Sequence, residues 1–358
     1  MRKVNMLAFV VTVIVATNAC RKEEPKQNQV VQYNPTALTV EVPTYVKNYV
    51  GDMKHPNDNP LTVEGVALGR KLFYEKMLSD NMTMSCGTCH KQENAFDDPR
   101  PFSQGTNGVF GDRNAMAIIN LAWNTAFFWD GRRATMEEQA HDPVTNPIEM
   151  ANTWPEVVRR LQNSSTYPDL FYKAFGTKSI DSNLVVKAIA QFERTLVSYN
   201  SRFDKYFHKG DSTVFTQQEK NGFVIFKGKG MCNNCHLMNT QLADNVLRNN
   251  GLDINPIDAG LMKFTGLASD RGKFKVPTLR NIAQTAPYMH DSRFATLEEV
   301  VDFYSNNVQQ SSPNIDEHMP DYGSGLKLTT QEKADLIAFL KTLTDQDFLT
   351  NPAFSEPK

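Results

Sequence analysis

Cys86-Gly87-Thr88-Cys89-His90 and Cys232-Asn233-Asn234-Cys235-His236 stand in opposite halves of the 358-residue chain and use four of its five cysteines. Cys-x-x-Cys-His is the attachment pattern of c-type haem. Two thiols add across the porphyrin vinyl groups, and the adjacent histidine becomes the proximal iron ligand. A zinc ribbon would set its cysteine pairs much closer together, and a dithiol redox pair would sit on a βαβ background. Neither accounts for a histidine after both pairs. The chain is therefore read as carrying two covalently bound haem c groups, through Cys86, Cys89 and His90 and through Cys232, Cys235 and His236.

The fifth cysteine belongs to the N-terminus. Arg2 and Lys3 precede an apolar run from Met6 to Ala16, followed by Thr17-Asn18-Ala19-Cys20. A short charged region, a short hydrophobic core and small residues before a cut make a secretory signal, and the run is too short to span a bilayer. Ala19-Cys20 also resembles a bacterial lipoprotein site, although Thr17 replaces the usual leucine, so lipidation of Cys20 and simple cleavage both stand as readings. The expected location is the periplasm or cell envelope, with any membrane contact made through a lipid on Cys20. A formal net charge of -2 gives no attraction to nucleic acid.

Outward from the two motifs, the chain repeats itself. Gly69-Arg70-Lys71-Leu72-Phe73 leads to Cys86, and Gly222-Phe223-Val224-Ile225-Phe226 leads to Cys232. Each half closes with an amphipathic helix, Leu184 to Val197 and Thr330 to Leu343, the latter with Leu336, Ile337, Leu340 and Leu343 on one face. Thr135-x-x-Glu138, Thr216-x-x-Glu219, Thr296-x-x-Glu299 and Thr329-x-x-Glu332 are capping boxes. Strand-like alternation is confined to Leu38 to Val46. These signals predict a mainly α fold of two class I cytochrome-c-like haem domains. The expected boundaries are a signal over 1–20, a polar linker over 21–50, an N-terminal haem domain over 51–210 and a C-terminal one over 211–348. The tail from Phe354 to Lys358 reads as unstructured.

Phe128-Trp129-Asp130-Gly131-Arg132, Gln139-Ala140, Asn146-Pro147-Ile148-Glu149-Met150, Val276-Pro277-Thr278-Leu279-Arg280-Asn281 and Thr285-Ala286-Pro287-Tyr288-Met289-His290 resemble the bacterial dihaem cytochrome c peroxidase and MauG family, from about Leu61 to Thr344. The resemblance implies an oxidoreductase whose N-terminal haem meets hydrogen peroxide. Glu149 would be the distal acid-base, Gln139 its neighbour in the pocket and Trp129 the relay between haems. A carboxylate beside the open coordination position can move a proton between the two peroxide oxygens, and burial would raise its pKa towards neutrality. Asn114, Thr285 and Pro287 fall at the family's calcium positions. The implied electron donor is a small cytochrome c or cupredoxin, and a homodimer is compatible with the resemblance.

Two departures bear on the subtype. Peroxidases activated by reduction carry a histidine on the loop before the asparagine, and Thr106 stands there instead, which implies an N-terminal haem open in all redox states. Where those enzymes place a methionine opposite the proximal histidine of the second haem, counting from the Ala286-Pro287 anchor gives Tyr304, as in MauG-type enzymes. Met319 and Met262 are the alternatives for that position. Three functions therefore remain: a peroxidase reducing peroxide to water, a MauG-like oxidase acting on a protein or organic substrate, and a non-catalytic dihaem electron carrier. His141 is read as structural or exposed, His290 as a second-haem neighbour rather than a ligand, and His55, His208 and His318 as surface residues.

Overall fold

In both halves a glycine in the helix before the haem motif lets two helices cross at backbone contact. In the computed structural model, which describes residues 33–319 and 323–358, helix Val63–Phe73 packs on helix Ser182–Arg194, and helix Gln217–Lys227 packs on helix Thr330–Lys341. A Cβ added at Gly69 would lie 1.8 Å from the Ala188 carbonyl oxygen, and one at Gly222 would lie 1.9 Å from that of Asp335. Around these crossings Leu68, Leu72, Phe73, Val185, Ile189 and Phe192 form one core, and Phe223, Phe226, Leu336, Phe339 and Leu340 a second. Each fully buried Leu or Phe contributes about 1.5–3 kcal/mol, so these crossings carry much of each module's stability. Gly69→Ala and Gly222→Ala are each expected to cost about 1–3 kcal/mol or more, because a helix carbonyl that cannot give way, with the Cβ of Phe192 or Phe339 beside it, stands in the way. Thermal unfolding of the haem-loaded variants checks this.

The expectation of a mainly α chain holds: the described strands are the pair Leu247–Arg248 and Phe274–Lys275, antiparallel with Leu247 opposite Lys275. The boxes at Thr216, Thr296 and Thr329 close in both directions. At Thr135 only one direction forms, since Glu138 accepts from the Ala134 N–H instead. The two closing helices end at Arg194 and Lys341, slightly short of the expected Val197 and Leu343.

Three expectations need correction. Leu38 to Val46 is not a strand; Pro43 has no N–H for a ladder and instead starts helix Thr44–Val50. The linker expected over 21–50 is folded from Tyr33 onward, with Val42 and Val46 packed against Ala122, Trp123 and Tyr199. The tail is not loose either. Helix Gln346–Thr350 and the residues after it bring Phe348 and Phe354 into the first core, Tyr74 Oη donates to the Phe354 carbonyl at 2.8 Å, and Arg70 Nε donates to that of Ser355 at 2.6 Å. The signal segment, Cys20 and linker residues 21–32 lie outside the described residues. Among those described, no helix is long and apolar enough to cross a membrane.

Candidate haem and peroxide sites

Each Cys-x-x-Cys-His segment opens onto a cavity. The first is lined by Cys86, Cys89 and His90, the second by Cys232, Cys235 and His236, and all four cysteines are free thiols, as thioether formation requires. His90 Nδ1 lies 2.8 Å from the Phe96 carbonyl oxygen and His236 Nδ1 lies 3.0 Å from that of Leu242. A carbonyl only accepts, so Nδ1 carries the proton in each ring and Nε2 keeps its lone pair for a metal. Burial pushes both imidazoles below the ordinary histidine range, which keeps them neutral. Thiols, oriented histidines and cavities together suit haem c twice over.

On the first cavity the structure brings Gln139, Glu149 and Trp129 together. Gln139 stands on helix Met136–Thr145, while Glu149 lies in the turn that follows. Burial pushes the Glu149 carboxyl up from the ordinary glutamate range; Asn146 Nδ2, donating at 2.6 Å, and the charge of Arg132 only partly oppose this. Thr106 sits on a loop pinned to this turn, its N–H and hydroxyl both donating to the Glu149 carbonyl, at 2.8 and 3.2 Å. The same loop passes so close that a Cβ on Gly105 would lie 2.3 Å from the Ile148 oxygen. Arg132 also lines this cavity, stacked 3.4 Å over the Phe128 ring and paired with Asp130. Sequence reasoning quoted Arg132 within its motif but gave it no role, and it missed Asn146 as the partner of Glu149.

Trp129 lines both cavities, and its indole N–H donates to the Asn114 carbonyl at 2.9 Å. Asn114 also lines both, its N–H bonded to the His290 carbonyl at 2.8 Å and its buried Nδ2 without a hydrogen-bond partner among the described residues. An amide turned over there would present its oxygen instead, which suits a cation. Thr285 and Pro287 line the second cavity only. Among the described residues no cluster of three His, Cys, Asp or Glu side chains could hold a metal, so a calcium ion would depend on amide and carbonyl oxygens.

Tyr304 faces the second cavity from the turn Phe303–Asn307, and its hydroxyl accepts from Asn250 Nδ2 at 3.0 Å. Burial pushes this phenol up to about 12. Met319 and Met289 line the same cavity, whereas Met262 does not. His208, read as a surface residue, is partly buried, while His318, with 38% of its side chain exposed, is a surface residue that also reaches the second cavity. His318 lines the second cavity and bonds Asp316 and Arg248, and His208 stacks on Tyr45 with ring centroids 3.7 Å apart and a buried Nε2. Neither lies in a motif, so only tertiary packing reveals them. His55 is exposed, His141 packs on Trp154, and His290 stacks on Phe274 beside the second cavity.

The model of the di-haem cytochrome c peroxidase family matches residues 63–213. The methylamine utilization protein MauG of Methylorubrum extorquens is 37% identical over 291 residues, covering 81% of this chain and 80% of that protein. The cytochrome c551 peroxidase of Nitrosomonas europaea is 36% identical over 290 residues, covering 80% of this chain and 81% of that one. The crystal structure of a MauG-like protein associated with microbial copper homeostasis superposes with a TM-score of 0.80 at 36% identity, over 90% of this chain and 99% of that one. Two haem cavities in two cytochrome-c-like modules, with relatives of this extent, make the chain a member of the di-haem cytochrome c peroxidase and MauG family.

Proposed function

We propose that this oxidoreductase reduces hydrogen peroxide to water at the His90 cavity, with two electrons from a small cytochrome c or cupredoxin entering by the His236 cavity. The observation that carries this is the buried Glu149 carboxyl on the wall of the first cavity. Bound haem supplies the iron at which the O–O bond breaks and through which electrons pass. Glu149, as carboxylate, takes the proton from the inner peroxide oxygen and returns it to the outer one, so that this oxygen leaves as water. Gln139 orients the peroxide, Asn146 holds the Glu149 carboxyl in place, and Trp129 spans the wall between the cavities as an electron route. Asn114, with carbonyls of Thr285 and Pro287, holds a calcium ion in this reading. Export, with a lipid on Cys20, places the reaction in the periplasm or cell envelope.

A second reading is a MauG-like oxidase that spends peroxide on a protein or organic substrate. Thr106, already bonded to the Glu149 backbone, and Tyr304, facing the second cavity, favour it. In that reading Tyr304 would, with His236, help hold the second haem and tune its potential.

Mixing the oxidised, as-isolated protein with one equivalent of hydrogen peroxide, followed by optical and EPR spectra, tests both. Rapid loss of both ferric signals is expected if the first site is open and oxidising equivalents are shared with the second. A reaction that waits for reduction of one haem would return the enzyme to the reductively activated type and overturn the roles given to Thr106 and Tyr304.

A further inference from the structure

Lys275 is the member of the inter-haem wall that no role above absorbs. It stands on the strand Phe274–Lys275, its N–H bonded to the Trp129 carbonyl at 2.7 Å, and it lines both cavities. The residue is 7% exposed, and among the described residues its ammonium has neither a hydrogen bond nor an ion pair. Burial alone pushes it down, to about 8, with no carboxylate near enough to pull it back. The two arginines of the first cavity are paired, Arg113 with Asp130 and Asp258 and Arg132 with Asp130, and its other lysine, Lys263, is exposed. A buried ammonium left without an anion is costly, and a protein keeps one where a partner arrives with a ligand. Each haem brings two propionate carboxylates, which equally need a counter-charge once buried.

We propose that Lys275 is a positioning residue that holds a haem propionate at the wall shared by the two sites, and that its charge raises the reduction potential of that haem. A fixed cation disfavours the more positive ferric state of a nearby iron and so favours reduction. Lys275 thereby ties haem placement to the direction of electron flow past Trp129. The proposal rests on the two-haem reading, which a pyridine haemochrome assay of the wild-type protein tests by itself: fewer than two haems per chain would defeat that reading first.

With two haems established, spectroelectrochemical titration of Lys275→Met and Lys275→Arg decides the matter. Lys275→Met is expected to shift at least one potential downwards, and Lys275→Arg to keep both near the wild-type values. Unchanged potentials in a fully loaded Lys275→Met protein would overturn the proposal. Should that variant fail to take up haem, a crystal structure of the wild-type holoprotein serves instead: Nζ within hydrogen-bond distance of a propionate oxygen supports the assignment, and a propionate-free Nζ removes it.

Discussion

Glu149→Gln is expected to slow the reaction with hydrogen peroxide by about 10²–10⁴-fold while leaving haem content and the optical spectrum of the oxidised protein intact. Glutamine keeps the size and the hydrogen-bonding shape but cannot take a proton. A non-catalytic electron carrier would show no such loss, so stopped-flow rates for the two proteins separate an enzyme from a carrier. The pH profile carries a second signature. Burial holds the Glu149 carboxyl above the ordinary value of about 4.3, and the reaction needs the carboxylate. The rate should therefore rise with pH through a midpoint above that value, and this limb should vanish in Glu149→Gln.

The second large effect concerns stability. Arg280 and Asp204 are 1% and 0% exposed and meet in a two-pronged pair, both contacts 3.0 Å. Tyr45 and Ser201 donate to the same carboxylate, and the guanidinium lies 4.1 Å over the Tyr199 ring. Arg280→Met would leave a buried carboxylate with no cation and is expected to cost about 3–5 kcal/mol. The sign of the pH dependence is specific. In the wild type burial pushes the Asp204 carboxyl up, but Arg280 and the Ser201 donors outweigh it and the net shift is downwards. That contribution is present above the unfolded value of about 3.9 and is lost as pH falls through the lower folded value. In Arg280→Met only the neutral donors still oppose burial, the folded value rises, and stability falls as pH climbs past the unfolded value. Denaturant unfolding at several pH values should show the gap between the two proteins narrow in acid and widest near neutrality.

The haem segments, the repeated modules and the helix starts were legible in the sequence because each depends on residues close together in the chain. Cys-x-x-Cys-His carries its own chemistry, and Thr-x-x-Glu caps a helix wherever it lands. Gly69 and Gly222 were visible as matching positions, though the reason for glycine, a carbonyl of the other helix at the same spot, was not. What escaped depends on distant partners. Phe354 looked like part of a polar tail until Phe96 and Tyr74 received it, and His318 and Lys275 lack a motif because their neighbours come from remote segments. Leu38 to Val46 misled for a local reason: Pro43 overrides the alternation around it.

The packing of residues 346–355 onto the first module has a consequence for the order of biosynthesis. Phe348 and Phe354 close against Phe96, whose carbonyl orients His90, and Gln92 Nε2 is held by the carbonyls of Phe348 and Asn351. The first haem module thus draws part of its core from residues made after the second. That core can close only once the second module, which lies between in the chain, has been made.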